Sequence, residues 1–130
     1  KDVYEKLGND EKLKTMFENC YTNTLDTTVK KMDDGTTYVI TGDIPAMWLR
    51  DSVCQLRPYY FLAEKDEEIA NLIEGLVKRQ MKYILLDPYA NAFNEADNGS
   101  CWQKDITEMS GWIWERKYEI IEVWRTEQNH

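Results

Sequence analysis

The chain has 130 residues, of which 24 are acidic and 16 are basic, so its formal charge at pH 7 is −8. The acidic balance excludes the basic surface that nucleic acids and anionic membranes require. No apolar run reaches the roughly 18 residues of a membrane-spanning helix, so neither a nucleic-acid nor a membrane partner is expected.

The first third of the chain predicts a helix followed by a short strand. Asn9 or Asp10 is expected as the N-cap of a helix over residues 10–28. Apolar residues recur there at helical spacing: Leu13, Met16, Phe17, Cys20 and Tyr21. Asp33-Asp34-Gly35 is typical of a turn, and the β-branched and aromatic residues at 36–40 indicate a strand. We therefore expect a short β-hairpin or strand near 36–41.

Two further helices are predicted between residues 45 and 87. Pro45 suits the first turn of a helix, and Pro58 is expected to kink or restart that helix. Its apolar face is Leu49, Val53, Leu56 and Tyr60. Asp66 begins the most periodic helix, which Asp87-Pro88 ends and whose apolar face is Ile69, Leu72, Ile73, Leu76, Val77, Met81 and Ile84. Residues 88–111 have no such period, and loops of this length are usually functional.

The cysteines and the histidine exclude several chemistries. Cys20, Cys54 and Cys101 have neither zinc-site nor CxxC spacing, so we interpret them as buried, reduced thiols. The only histidine is His130, the last residue, which leaves no imidazole for a Ser-His-Asp, Cys-His or HExxH site. There is no phosphate-binding glycine loop either, so neither a metal nor a cofactor is expected. No signal-peptide pattern follows Lys1, which predicts a cytoplasmic location.

Residues 41–52, TGDIPAMWLRDS, combine charge and an aromatic ring at a predicted loop-to-helix junction. Carboxylates of Asp43 and Asp51 accept hydrogen bonds from hydroxyls, Arg50 donates them, and the face of Trp48 covers the C–H side of a sugar ring. The purely structural interpretation makes Asp43 a helix cap, Arg50 and Asp51 an ion pair, and Trp48 a core residue. The aromatic and polar segments at 89–102 and 112–119 shift the balance towards a carbohydrate site.

TGDIPAMWLRDS, followed by QLRPYYFL, resembles the N-terminal signature of glycoside hydrolase family 125, the metal-independent exo-α-1,6-mannosidases. YANAFNE at 89–95, WQKDITEM at 102–109 and WERKYEI at 114–120 are similar to later stretches of the same family. The resemblance implies a mainly α fold, the N-terminal part of an (α/α)6 barrel. It also implies metal-free, inverting hydrolysis of terminal α-1,6-linked mannose.

Transferred position by position, the resemblance implies sugar-binding roles and no catalytic residue in this chain. Asp43, Arg50 and Asp51 are expected to form the floor of the terminal mannose subsite, with Trp48 as its wall or support. Asn94, Lys117 and Glu119 are weaker candidates at the same rim. Trp112 and Trp114 are expected to pack rather than to stack on sugar. An inverting hydrolase needs an acid and a base roughly 6.5–9.5 Å apart, and in the family both come from downstream segments without a matching position here.

After residue 120 the sequence departs from the family pattern. We therefore interpret residues 1–120 as an N-terminal part of the barrel and 121–130 as a divergent tail produced by truncation or a frameshift. The expected product is marginally stable or aggregation-prone and has no hydrolase activity alone. The expected partner is an α-mannoside or a mannose-containing glycan. Two alternatives stay open: a small helical carbohydrate-binding or interaction module without catalysis, and an (α/α)6 enzyme that acts on another glycoside.

Overall fold

The computed structural model describes residues 2–100 and 111–115. That part of the chain is mainly helical, as the sequence predicts, and it also contains two small antiparallel sheets. The helices are α1 (Asp2–Lys6), α2 (Glu11–Tyr21), α3 (Asn23–Thr27), α4 (Leu49–Leu56), a 3₁₀ helix (Arg57–Leu62) and α5 (Glu67–Leu86). The strands are β1 (Val29–Lys31), β2 (Thr37–Val39), β3 (Met47–Trp48), β4 (Ala92–Phe93) and β5 (Ile113–Glu115).

The predicted first helix is two helices, α2 and α3. Asp10 is the N-cap of α2, where its carboxylate accepts a hydrogen bond from the Leu13 N–H at 3.0 Å. The helical path is interrupted at Thr22, within a segment rich in Thr and Asn, whose side chains favour turns and helix ends. The predicted helical region is therefore confirmed, but the prediction of one uninterrupted helix over 10–28 is wrong.

The predicted hairpin is confirmed. Strands β1 and β2 pair antiparallel with Val29 opposite Val39. Gly35 has a φ of 74° in the connecting turn, a conformation that glycine adopts without steric cost. All three residues of β2 are buried, whereas β1 is largely exposed.

The predicted second helix begins later than expected. Pro45 lies in a loop, because Met47 and Trp48 pair with Phe93 and Ala92 as strand β3 before α4 begins at Leu49. A local signal such as proline at a first helical turn does not reveal this long-range pairing. The expected restart at Pro58 is confirmed, since the chain changes there from α4 to the 3₁₀ helix.

Helix α5 is the centre of the core and matches its predicted bounds. The Asp66 carboxylate caps it by accepting hydrogen bonds from the N–H groups of Glu68 and Ile69 at 3.0 and 3.2 Å. The helix packs on β2, the 3₁₀ helix and α4. The largest apolar cluster is made of Tyr38, Val39, Met47, Leu56, Tyr59, Ile69, Leu72, Leu76, Tyr83, Ala90, Phe93 and Ile113.

The predicted apolar face of α5 is only partly buried. Val77, Met81 and Ile84 are 50%, 53% and 39% exposed, because β2 and the 3₁₀ helix cover the opposite side of the helix. Within the described ranges, none of the helices combines the length and the apolar character needed to cross a bilayer.

Candidate sugar-binding site

The loop at residues 41–46 is closed on itself. The backbone N–H and the hydroxyl of Thr41 both donate to the carbonyl of Ala46, at 3.0 and 3.3 Å. Gly42 has a φ of 135°, which L-residues with side chains rarely adopt, so glycine allows the chain to turn here. Ala46 is fully buried and Asp43 is exposed. The loop therefore has a fixed base and presents a carboxylate to solvent.

Arg50 and Asp51 lie in the first turn of α4. A guanidinium nitrogen of Arg50, Nη2, is 3.4 Å from Oδ2 of Asp51. The two side chains are 86% and 34% exposed, and an ion pair this open contributes little to folding. The carboxylate of Asp51 is also favourably placed near the positive end of the helix dipole. Both groups keep most of their hydrogen-bonding capacity for a ligand.

The first turn of α4 is anchored from below by α5. Gln80 Nε2 donates to the carbonyl of Leu49 at 2.9 Å and to the hydroxyl of Ser52 at 3.0 Å. The Ser52 hydroxyl in turn donates to the Leu49 carbonyl at 2.8 Å. These contacts fix the backbone that carries Arg50 and Asp51, although neither charged side chain takes part in them.

A three-stranded sheet brings three separate sequence motifs together. Strand β4 lies between β3 and β5, with Ala92 opposite both Trp48 and Glu115. Half-buried Trp48 packs against the small buried cluster of Ala46 and Ala92. The segment 89–95 and the segment 112–115 therefore lie next to the TGDIPAMWLRDS segment, as a shared site requires.

Asn94 follows β4 and is buried, at 1% exposure. Its side-chain NH₂ donates to the carbonyls of Ser100 and Gly111 at 2.7 and 2.6 Å, and its backbone N–H donates to the Trp112 carbonyl at 2.7 Å. Asn94 therefore holds the loop after β4 against β5. The Oδ1 of Asn94 has no hydrogen-bond partner among the described residues. A sugar-binding role for Asn94 stays a prediction and rests on that oxygen.

Only some of the other residues predicted near the rim lie in the part of the chain that the structure describes. Lys117 and Glu119 lie outside the described residues, as does the side chain of Trp114. Trp112 is half-buried, with its ring centroid 6.5 Å from that of Tyr83 and 4.7 Å from Lys82 Nζ. The site thus joins Trp48, Arg50 and Asp51 at one junction, with Asp43 on the loop that leads into it.

Sequence reasoning missed the buried tyrosines beneath this junction. The hydroxyl of Tyr83 donates to the carbonyl of Asn94 at 2.7 Å, and that of Tyr38 lies 3.3 Å from the carbonyls of Pro45 and Phe93. Burial raises the pKa of both tyrosines well above its usual value, so both stay neutral hydrogen-bond donors at physiological pH. In the sequence each looks like any other aromatic core residue.

The cysteine prediction is wrong in one respect. Cys20 and Cys54 are free thiols, as expected, but both are exposed, because they lie on the outer faces of α2 and α4. Cys101 lies outside the described residues.

In the part of the chain that the structure covers, no three histidine, cysteine or carboxylate side chains come together in a way that could hold a metal ion. At the junction, Trp48 offers an aromatic face and Arg50 and Asp51 offer hydrogen bonds, a combination that suits a neutral polyhydroxyl ligand.

Known proteins give the fold and the junction a family context. The family model for metal-independent alpha-mannosidase (GH125) matches residues 10–123. The meiotically up-regulated gene 157 protein of Schizosaccharomyces pombe is 41% identical over an alignment of 131 positions, which covers 92% of this chain and 26% of the yeast protein. A metal-independent α-mannosidase structure from Streptococcus pneumoniae, a non-productive complex with α-1,6-mannobiose, superimposes with a TM-score of 0.83 at 51% identity.

The match to that bacterial structure covers 94% of this chain and 29% of the bacterial chain. The chain thus spans between a quarter and a third of the length of these relatives. The (α/α)6 barrel expected for the whole family is consistent with these helices, which do not by themselves form one. On the match over residues 10–123, the chain belongs to the metal-independent α-mannosidases of glycoside hydrolase family 125.

Proposed function

We propose that this chain supplies part of the subsite that holds the terminal mannose of an α-1,6-linked glycan, and that it does not hydrolyse the glycan alone. The observation that carries the proposal is the junction of β3 and α4. Its backbone is tied down by Gln80 and Ser52, while the side chains of Arg50 and Asp51 stay exposed and contribute little to the fold. A surface built in this way is preorganised for a ligand.

The chemistry of the junction suits a hexose. Mannose hydroxyls donate to the carboxylates of Asp43 and Asp51 and accept from the guanidinium of Arg50. The partly exposed ring of Trp48 offers an apolar face to the C–H side of the sugar. The bacterial neighbour was solved with α-1,6-mannobiose, which supports this sugar and this linkage as the ligand class.

Binding without hydrolysis follows from the division of roles expected in the family. Inversion requires a general acid and a general base separated by enough room for a water molecule. We assign binding roles to the residues matched here, since the acid and the base are expected from other segments of the family. The family match over most of the chain favours this interpretation over an unrelated interaction module.

Titration calorimetry of the 130-residue chain with α-1,6-mannobiose tests the proposal. Replacing Arg50 by Ala removes charge-assisted hydrogen bonds worth about 1.5 kcal/mol, so we expect affinity to fall roughly tenfold. Arg57→Ala is the matched control, because Arg57 is also exposed but lies in the 3₁₀ helix after α4. That variant should bind as the unmodified chain does.

Two results would contradict the proposed site. One is the absence of any heat of binding in a chain that circular dichroism shows to be folded. The other is an equal loss of affinity in Arg50→Ala and Arg57→Ala, which would indicate a general effect of positive charge.

A further inference from the structure

Two buried tyrosines connect the core to the backbone of the candidate site. Tyr38 on β2 and Tyr83 on α5 are each fully buried. Between them, their hydroxyls reach the carbonyls of Pro45, Phe93 and Asn94. Pro45 belongs to the TGDIPAMWLRDS segment, and the other two carbonyls belong to the YANAFNE segment. The tyrosines thus contact both segments from the side of the core.

These contacts matter because the strands themselves are short. Strands β3 and β4 pair through only two residues each, Met47 with Phe93 and Trp48 with Ala92. Such a short ladder is weak unless it is packed against other elements. The Tyr83 ring supplies that packing by stacking on Phe93, with a centroid distance of 4.3 Å and an interplanar angle of 6°.

A buried arginine holds the two rings. Arg79 is 1% exposed, and its guanidinium carbon lies 5.9 Å from the Tyr38 centroid and 5.4 Å from that of Tyr83. Its Nε and Nη1 have no hydrogen-bond partner among the described residues, and the cation lies beside both aromatic rings. Its Nη2 lies 3.9 Å from Oδ1 of Asp34 at the surface.

We propose that Tyr38 and Tyr83, held by Arg79, are positioning residues for the mannose subsite. Their hydroxyls fix the relative position of the loop before β3 and the segment after β4, and hence the spacing between the sugar-contacting side chains. Neither tyrosine touches the sugar. The inference rests on the proposed function, because it assigns the mannose subsite as the structure being positioned.

The test compares three single hydroxyl deletions. Tyr83→Phe and Tyr38→Phe remove the proposed contacts and keep the rings. Tyr59→Phe is the control, because Tyr59 is equally buried, at 3% exposure, and its hydroxyl donates to the Tyr21 carbonyl, away from the site. All three variants should lose comparable stability in urea unfolding.

Two further readouts separate positioning from general stability. We expect Tyr83→Phe and Tyr38→Phe to weaken α-1,6-mannobiose binding about five- to tenfold, by the loss of one neutral hydrogen bond. We also expect amide hydrogen exchange to quicken at residues 41–51 and 91–95 in the free protein. Tyr59→Phe should change neither the affinity nor the exchange of these two segments.

The exchange measurement needs no ligand, so it separates the two proposals. If the unmodified chain binds no mannobiose but exchange still quickens only in Tyr83→Phe and Tyr38→Phe, the sugar-binding function fails and the positioning of the two segments stands. If affinity and exchange change no more than in Tyr59→Phe, the positioning role is overturned.

Discussion

Asp34, in the turn between β1 and β2, is a surface carboxylate that contacts three other residues. Its Oδ1 accepts hydrogen bonds from the hydroxyl and the N–H of Thr36 at 2.5 and 3.1 Å. Its Oδ2 accepts from Lys82 Nζ at 3.2 Å, and Arg79 Nη2 lies 3.9 Å from Oδ1. The Thr36 hydroxyl is the largest influence, and together these groups lower the pKa of Asp34 to about 2. One side chain thus connects the hairpin to α5.

This lowered pKa predicts a specific pH dependence of stability. Because the folded pKa lies below the unfolded value near 3.8, the unfolded chain takes up the proton first as the pH falls. The stabilisation is therefore complete above about pH 5 and is lost progressively towards pH 2. Urea unfolding between pH 2 and 6 measures it. Asp34→Asn should be less stable near neutral pH and should lose less stability on acidification than the unmodified chain. Parallel curves would contradict this account.

At the residue scale, the sequence predicted local hydrogen-bonding roles better than the exposure and long-range contacts of individual side chains. The caps at Asp10 and Asp66 were predictable, because a cap depends on the next three residues only. The exposure of the Arg50–Asp51 pair was not predictable, because the same two neighbouring residues could equally form a structural ion pair. The roles of Tyr38 and Tyr83 were hidden for a similar reason: a hydroxyl that positions a distant carbonyl leaves no local pattern.

At the scale of elements, α5 could be predicted from the sequence, whereas the sheet of β3, β4 and β5 could not. The periodicity of its apolar residues and its N-cap are enough to predict helix α5, and its bounds Glu67–Leu86 match the prediction. Strands β3 and β4 have two residues each and pair with each other across more than forty residues of chain. Such pairing is set by tertiary contacts, which explains why a helix was wrongly expected from Pro45.

The close approach of α5 to β2 depends on Gly75. A Cβ at this position would collide with Thr37 Oγ1 and lie 3.0 Å from the Thr37 backbone nitrogen. Helix propensity alone would favour alanine by about 1 kcal/mol, but forcing an atom into a packed interface costs about 1–3 kcal/mol. We therefore expect Gly75→Ala to lower the free energy of unfolding, by up to about 2 kcal/mol, in urea titrations.

The neighbouring Glu74 provides the control for this substitution. Its carboxylate makes an exposed ion pair with Lys78 four residues later, at 2.6 Å. Glu74→Ala should change stability far less than Gly75→Ala, because an ion pair this exposed contributes little. A Gly75→Ala variant as stable as Glu74→Ala would show that the helix and the hairpin are not in rigid contact.

At the scale of the whole molecule, apolar side chains face solvent on several elements. Leu13 and Met16 on α2, Phe61 on the 3₁₀ helix, and Leu85 on α5 are 43%, 50%, 65% and 87% exposed. Surfaces of this kind favour association with other apolar groups. That the chain is marginally stable or aggregation-prone stays a prediction. The mainly α class was predictable from periodicity, whereas the barrel stays a prediction from the family.

The central claim, that the chain binds a mannoside without cleaving it, is tested most directly by measuring free mannose. The chain is incubated with α-1,6-mannobiose at a concentration that saturates binding in calorimetry, and mannose release is followed against a blank without protein. The account predicts no release above the blank, because it assigns binding roles to the matched residues and expects the acid and base pair of an inverting hydrolase from other segments of the family. Sustained release of mannose by the purified 130-residue chain would contradict it.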